Sequence, residues 1–369
     1  MSDEKLYQIA LSIIPGIGDV ITKNLISYCG SAKAVFQNNK SKLSKIPGVG
    51  SKTASLISSQ PYLSEAEKEL KEAEKQNVQV LFYTDKSYPE RLKQVYDAPP
   101  LLYFKGNCNL NALKIISIVG TRLASNYGKE VVEEIVAGLV KHSATIVSGL
   151  AYGIDIFAHR NAIKNNLPTV GVMASGSNII YPSVHKDIAL QMMENGGLLT
   201  EYRLGVKPDA HNFPMRNRII AGMTDAVIVV EAAKKGGALI TAEIANSYNK
   251  DVFAVPGNIN LKTSEGCNNL IRSLKANIFL NIKDIENSLG WDLTGAAGKA
   301  ESKPKYQMEE LSVEERKIID ILLNNNKELS IDDLSWKTQI NISSLASLLL
   351  SLEFQGIIKP LPGKKFKLI

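Results

Sequence analysis

The sequence predicts an α/β protein built around a doubly wound parallel sheet. Six short runs rich in β-branched residues follow one another between residues 115 and 255, bounded by glycines, and helical patterns separate them. Strands that alternate with helices imply right-handed βαβ crossovers, and such crossovers build a parallel sheet. We therefore place a central domain at residues 77–289, with a small helical domain before it and a winged-helix-like domain after it.

The elements of the central domain follow in chain order. A proline-broken stretch at residues 97–106 is predicted to be an extended connector that leads into the sheet. The predicted strands are 115–119, 145–147, 169–173, 198–200, 226–230 and 252–255. The clearest helical patterns between them are 128–140, 155–165 and 238–248.

Residues 1–76 are predicted to form a helical domain with an internal repeat. Residues 14–18 (IPGIG) and 46–50 (IPGVG) each precede an apolar helical run, and a charged helix covers 61–76. The repeat resembles paired helix-hairpin-helix (SAM-like) units, which hold DNA backbones through exposed N–H groups without reading sequence. A helical bundle in which the glycines only make tight turns is the alternative.

The C-terminal residues 305–369 follow a linker at 290–304 that is rich in Gly, Ala, Ser and Lys. Helical patterns at 314–323, 331–337 and 343–355, then a β-prone hairpin at 357–369 with a lysine-rich wing, predict a winged helix. Its third helix is almost uncharged, whereas a helix that reads the major groove offers Arg, Asn or Gln. We expect the tail to mediate protein contacts or support a dimer; a DNA-reading regulator is the alternative.

Composition narrows the function classes. The 369 residues carry a net charge of +6 and a sequence pI near 8.9, which weakly favours anionic partners. Three isolated cysteines and four histidines lack the spacings of a disulfide framework or a metal site, so we expect neither metal nor cofactor. No leader-like segment or long apolar run occurs, so we expect a cytoplasmic protein without a membrane span.

Glycine-rich turns follow several of the predicted strands, at the sheet edge where α/β proteins bind ligands. Arg122, Arg216 and Arg218 lie in or near such turns, and the guanidinium fork suits phosphate. Residues 120–125 read GTRLAS rather than GxGxxG, and no acidic residue ends the second strand, so a dinucleotide site is not indicated. The pattern predicts a phosphate-bearing ligand that is held rather than cut.

Several motifs together resemble the DNA-processing protein A (DprA, or Smf) family, and they span nearly the whole central domain. They are IVGTR at 118–122, VSGLA at 147–151, GID at 153–155, AH at 158–159, YP at 181–182, FPMRNRIIAG at 213–222 and VPG at 255–257. The resemblance implies an extended Rossmann-type fold and a homodimer. It also implies a protein that protects incoming single-stranded DNA and loads RecA recombinase onto it during natural transformation or homologous recombination.

The motifs and the resemblance together predict a DNA-binding site. Its residues are Gly120, Arg122, Ser148, Gly149, Gly153, Lys186, Phe213, Arg216, Asn217, Arg218, Gly237 and Thr241. Where the family usually has Ser-Gly-Ser, this chain has Gly-Gly-Ala at 236–238, so hydroxyl contacts are lost there while backbone contacts can survive. Phe213, Tyr152 and Tyr181 could stack on bases, although the sequence favours a core position for each.

The alternative is an enzyme. Phosphoribohydrolases that cleave nucleoside monophosphates share this sheet and carry a Pro-Gly-Gly-x-Gly-Thr turn before a catalytic Glu. Residues 235–243 (KGGALITAE) lack that proline and the Gly-Thr spacing. Asp155 and His159, one helical turn apart, could orient a base, but a helix-surface or capping pair is the favoured interpretation. We expect a binding protein rather than an enzyme.

Overall fold

The computed structural model describes residues 3–58, 61–291, 311–323, 328–355, 357–361 and 365–368. The chain forms two compact units, Met1–Trp291 and Asp292–Ile369. None of the helices in the described ranges is both long and apolar enough to span a membrane.

The first unit begins with six helices. They are α1 (Asp3–Ile13), α2 (Asp19–Cys29), α3 (Ala32–Gln37), α4 (Lys40–Leu43), α5 (Ser51–Ile57) and α6 (Pro61–Lys75). The predicted repeat is visible in the backbone: Gly16 and Gly48 both have φ of +83°, a value that glycine adopts without strain. Gly18 and Gly50 then cap α2 and α5, so the helical N-terminal region and its paired turns are confirmed.

A nine-stranded mixed sheet follows. Its strands are β1 (Gln79–Phe82), β2 (Leu101–Gly106), β3 (Ile115–Val119), β4 (Thr145–Ser148), β5 (Thr169–Val172), β6 (Gly196–Thr200), β7 (Ala226–Val229), β8 (Asp251–Ala254) and β9 (Asn277–Ile278). The spatial order is β1-β2-β6-β5-β4-β3-β7-β8-β9, and the seven strands from β6 to β9 are parallel. The six predicted strands are therefore confirmed as the centre of the sheet.

The prediction of a connector at 97–106 was wrong in its second half. Two prolines occupy 99–100, but from Leu101 onward the backbone pairs antiparallel with both β1 and β6. Proline lacks an N–H group and so ends a strand, but it does not prevent one from starting at the next residue. β1 and β9, at the two edges of the sheet, were not predicted.

Helices cover both faces of the sheet. They are α7 (Glu90–Lys93), α8 (Asn126–Leu139), α9 (Ile154–Lys164), α10 (Lys186–Met192), α11 (Asn212–Gly222), α12 (Gly237–Ser247), α13 (Glu265–Arg272) and α14 (Ile282–Leu289), with short 3₁₀ turns at Val140–His142 and Ser183–His185. Side chains alternate along β3: Ile115 and Val119 join the core beneath α11 and α12, whereas Ile116 and Ile118 join the core beneath α8 and α9. This double burial is what a doubly wound sheet requires.

A third core joins the N-terminal helices to the sheet edge. Leu11 and Ala73 share it with Val78, Phe82 and Tyr103, which lie beyond residue 76. Because the packing continues across that position, the N-terminal helices are part of the same compact unit as the sheet.

The second unit contains α15 (Val313–Leu323), β10 (Glu328–Ser330), α16 (Ile331–Thr338), α17 (Ile342–Phe354), β11 (Ile358–Leu361) and β12 (Lys365–Leu368). Its sheet has the order β10-β12-β11. Three helices and this small sheet confirm the winged helix; β10 was not predicted. The predicted linker at 290–304 lies outside the described residues apart from its first two positions.

Candidate nucleic-acid interface

A cavity of about 720 Å³ opens at the carboxyl ends of the central strands. It lies where the strand order reverses, because β3 has β4 on one side and β7 on the other. Ligands of open parallel sheets bind at this switch point. The walls come from the turns after β3, β4 and β7, from the first turns of α11 and α12, and from residues around Tyr181 and Pro208.

An exposed arginine and two aromatic rings stand in this cavity wall. The Arg122 guanidinium lies 5.6 Å from the ring centroid of Phe213, and the Phe213 ring lies 5.8 Å from that of Tyr181. Among the described residues, no carboxylate lies within 4 Å of Arg122 to form an ion pair. A cation beside two aromatic rings can receive both a phosphate and a base.

The N-terminus of α12 forms another wall. Gly236 and Gly237 are exposed, and a Cβ atom at either position would meet nothing within 4 Å, so the backbone is open to an approaching ligand. Lys235 precedes them in the same wall. The Thr241 hydroxyl instead donates to the Gly237 carbonyl at 3.2 Å. Free N–H groups at a helix start and a neighbouring cation favour an anion here.

Arg216 forms the floor of the cavity and is only 4% exposed. Its Nη1 donates to the Gly149 carbonyl at 2.6 Å and also to the Val172 carbonyl. Burial lowers the Arg216 pKa to about 10, while the charge of Asp155 opposes that shift. Its Nε donates to Asn217 Oδ1 at 3.2 Å, and Asn217 Nδ2 donates to the Gly237 carbonyl at 3.2 Å. Arg216 therefore brings a positive charge to the cavity floor, and its hydrogen bonds to the protein hold its side chain in place.

Three glycines make room for this arrangement. A Cβ at Gly149 would lie 2.6 Å from both Arg216 Nη2 and Asp155 Oδ2, and one at Gly120 would overlap Ile154. Gly153 has φ of +74°, and a Cβ there would overlap the Thr121 carbonyl. Ser148 is buried and donates to the Ile118 carbonyl at 2.6 Å. Among these positions only Gly120 lines the cavity; Ser148, Gly149 and Gly153 support it from behind.

Arg218 and Lys186 lie away from the cavity. Arg218 is 5% exposed, donates to the Asp97 carbonyl at 2.6 Å, and pairs with Glu201 and with Asp19 of α2 at 3.3 Å. Two residues along a helix rotate a side chain by about 200°, so Arg216 and Arg218 face opposite sides of α11. The expectation that Arg218 faces the ligand is therefore corrected. Lys186 is exposed at the start of α10, outside the cavity wall.

The expected core positions of the three aromatic residues were wrong. Tyr152 is 49% and Tyr181 is 51% exposed, and Phe213 is partly exposed. Lys235 and Thr121 line the cavity but were not predicted as site residues. Their position beside the Gly236-Gly237 and Gly120 turns is the sequence signal that could have found them.

Asp155 and His159 are both buried, so the interpretation of them as a helix-surface pair was wrong; Asp155 borders the cavity, whereas His159 does not. Burial lowers the pKa of His159 to about 3, and its Nδ1 is 2.7 Å from Thr169 Oγ1. Burial raises the pKa of Asp155, and the Arg216 charge opposes this. Glu243, the counterpart of the phosphoribohydrolase glutamate, pairs with Lys275 at 2.7 Å and is not part of the cavity wall. In the described ranges, no three His, Cys, Asp or Glu side chains could jointly hold a metal ion.

An open, cationic, glycine-edged cavity at the switch point of a Rossmann-like sheet defines a class of proteins that bind phosphate-bearing ligands. The chain belongs to the DNA recombination-mediator protein A family, whose sequence profile matches residues 79–290. A DprA winged helix domain matches residues 302–364, and a SAM-like helix-hairpin-helix tandem matches residues 9–60.

Known proteins resemble this chain along its length. Protein Smf of Synechocystis sp. is 31% identical over 99% of both chains. The X-ray structure of DNA processing protein A from Streptococcus pneumoniae superposes with a TM-score of 0.66 and 31% identity, covering 78% of this chain and 98% of that one. DNA processing protein A from Helicobacter pylori, described for its single-stranded DNA binding mode, has a TM-score of 0.53 and 30% identity, covering 58% and 96%.

Proposed function

We propose that this protein binds single-stranded DNA in the switch-point cavity and delivers the strand to RecA recombinase during natural transformation or homologous recombination. Strand binding follows from the chemistry of the cavity. RecA delivery and a cytoplasmic homodimer are what the resemblance to the family implies. No cofactor is required for this function, and no bond is broken.

The observation that carries strand binding is the group of Arg122, Phe213 and Tyr181 at the open cavity. An exposed guanidinium beside two rings, in a cavity that the start of α12 also lines, offers a phosphate contact and a stacking surface within one site. Single strands expose both phosphates and base faces, whereas a duplex hides its base faces. The described binding of single-stranded DNA by the Helicobacter pylori relative supports the same ligand class.

The proposed contacts fall into two groups. Arg122, Phe213, Gly237 and Lys235 would touch the strand directly, because their exposed atoms line the cavity. Gly120, Arg216, Asn217 and Thr241 would shape its floor and carry charge to it. Lys186, which lies outside the cavity, could meet only a strand that extends beyond it.

Fluorescence anisotropy with a labelled oligothymidylate and with a duplex of equal length, over a salt series, tests the ligand class. We expect the single strand to bind more tightly, with an affinity that falls as salt rises because counterions are released. Equal affinity for both ligands, or no binding at low salt, would contradict the proposal.

Delivery to RecA is tested separately. A dimer would present two cavities and raise avidity for a long strand through effective concentration. We expect the protein to accelerate RecA filament assembly on strands coated with single-strand-binding protein, and an Arg122→Ala variant to lose that acceleration. Tight strand binding without any effect on RecA assembly would leave a storage or protection role instead.

A further inference from the structure

Glu231 is a buried carboxylate beside the cavity that strand binding does not use. It lies two residues after the end of β7, is 3% exposed, and is absent from the cavity wall. A bare carboxylate beside a phosphate-binding site would repel the ligand. Its contacts show what it does instead.

The Glu231 side chain holds the turn that carries Arg122. Oε2 accepts a hydrogen bond from the Ser125 backbone N–H at 2.9 Å, and Oε1 accepts one from the Ser125 hydroxyl at 2.6 Å. The same hydroxyl accepts from the Gly128 N–H at 3.1 Å, which caps α8. Charge-assisted hydrogen bonds of this kind are roughly twice as strong as neutral ones.

The other end of the turn is fixed by backbone. The Thr121 N–H donates to the Glu231 carbonyl at 2.7 Å, and the Ile154 N–H donates to the Thr121 carbonyl at 3.1 Å. Arg122 therefore lies between two attachment points, Thr121 and Ser125, and both are attached to Glu231. Only residues 122–124 of the turn lie between them.

Packing leaves the carboxylate little freedom to move. A Cβ at Gly128 would overlap Glu231 Oε2, so α8 starts directly against the carboxylate. Gly153 lets the turn lie equally close on its other side, because a Cβ there would meet the backbone of Thr121 and Arg122.

We propose that Glu231 is a positioning residue that holds the Arg122 turn in its DNA-binding conformation. The proposal rests on the proposed function, since it concerns how that cavity presents Arg122. It implies that truncating this acidic side chain lowers DNA affinity, although removing its negative charge alone would raise affinity.

Two substitutions of Glu231, to Gln and to Ala, distinguish a role in positioning Arg122 from an effect of the negative charge. Glu231→Gln keeps an acceptor for the Ser125 N–H, so we expect single-strand affinity within about twofold of the unsubstituted protein. Glu231→Ala removes both bonds, and we expect a loss approaching that of Arg122→Ala, about tenfold for one charged hydrogen bond. If Glu231 acted only through its charge, both substitutions would tighten binding.

A double-mutant cycle gives the decisive readout, measured as oligothymidylate affinity and its salt dependence for folded protein. We expect Glu231→Ala to add little loss in an Arg122→Ala background, because the group it positions is absent. Gly128→Ala, which displaces the carboxylate without replacing it, should behave like Glu231→Ala and guards against a folding artefact in that variant.

The outcomes are distinguishable. If Arg122→Ala weakens binding but Glu231→Ala and Gly128→Ala do not, or their losses add fully to that of Arg122→Ala, the positioning role is overturned and the binding site stands. If Arg122→Ala itself has no effect on affinity or salt dependence, the proposed binding site fails, and the positioning role fails with it.

Discussion

The two faces of α11 show how one motif serves two purposes. Arg216 turns toward the cavity and stands on its floor, whereas Arg218, two residues later, turns toward the N-terminal helices and joins Asp19 to Glu201. Both guanidinium groups are buried. The difference is that one face of the helix is open to a ligand while the other is closed by the protein's own carboxylates.

The two helix-hairpin-helix turns, at residues 14–18 and 46–50, also differ in whether the protein's own side chains cover them. Gly18 is followed by Asp19, which forms an ion pair with Arg218, so the first turn is held against α11. Gly50 is followed by Ser51, which is exposed and next to the exposed Lys52. The two turns therefore have the same backbone geometry but different surroundings, and the residue that follows each turn, Asp19 or Ser51, makes the difference.

The largest expected effect is on stability, from Arg218→Ala. Removing this guanidinium leaves the largely buried Glu201 carboxylate without its cation and takes a partner from the partly exposed Asp19, which costs about 3 kcal/mol. Urea unfolding should be followed by the fluorescence of the buried Trp291 in a Trp336→Phe background, because these are the two tryptophans of the chain.

Arg203 supplies the matched control for that experiment. It pairs with Glu65 at 2.5 Å, and both side chains are at least a third exposed, so Arg203→Ala should cost below about 1 kcal/mol. Single-strand affinity of folded Arg218→Ala should stay unchanged. A large affinity loss with little destabilisation would place Arg218 in the DNA site after all.

Arg122→Ala should lower DNA affinity and leave stability nearly unchanged, which is the opposite of the pattern expected for Arg218→Ala. We expect affinity for a single strand to fall about tenfold, and the salt slope to shrink by about 0.7 for one lost phosphate contact, with stability changed by less than about 0.5 kcal/mol. Arg160→Ala is the control, because Arg160 is exposed and lies 5.8 Å from the Phe157 ring, much as Arg122 lies beside Phe213. Equal losses in both variants would indicate non-specific charge rather than a site.

The central strands and the position of the cavity could be predicted from the sequence, because glycine-rich turns that follow parallel strands must meet at one edge of the sheet. The sequence could not show which of Arg122, Arg216 and Arg218 face the ligand, because all three are arginines in or near the glycine-rich turns. Their roles depend on which carboxylates the N-terminal helices and β6 bring near, and those contacts join residues about two hundred positions apart, such as Asp19 and Arg218. The strand at Leu101 was missed because one of its two partner strands, β6, is also far along the chain, as the pairing of Tyr103 with Thr200 shows.

A smaller effect concerns pH. Burial raises the pKa of Glu201 to about 7 from an ordinary value of 4.5, although the charge of Arg218 opposes the shift. A raised folded-state pKa gives stability that is full below about pH 4.5 and is lost as pH rises through about 7. Relative to the unsubstituted protein, Glu201→Gln should therefore gain unfolding free energy between pH 5 and pH 8, on the order of 1 kcal/mol. A difference independent of pH over that range would contradict the shift.

The smallest effect on stability is expected from Gly237→Ala. A Cβ there meets nothing, and alanine is the better helix former, so unfolding free energy should change by less than about 1 kcal/mol. Single-strand affinity should nevertheless fall if the ligand approaches this backbone. Gly149→Ala, whose Cβ would press on Arg216 and Asp155, should instead lower stability. Unchanged affinity in Gly237→Ala would remove the start of α12 from the contact surface.

Photocrosslinking tests the central claim most directly. An oligothymidylate containing 5-iododeoxyuridine is irradiated with the full chain, and the attached peptides are identified by mass spectrometry. We expect attachment at Phe213 or Tyr181, with loss of the Phe213 product in Phe213→Leu. Attachment only outside the cavity, at the second hairpin turn (residues 46–50) or at Trp336 of the C-terminal unit, would contradict it.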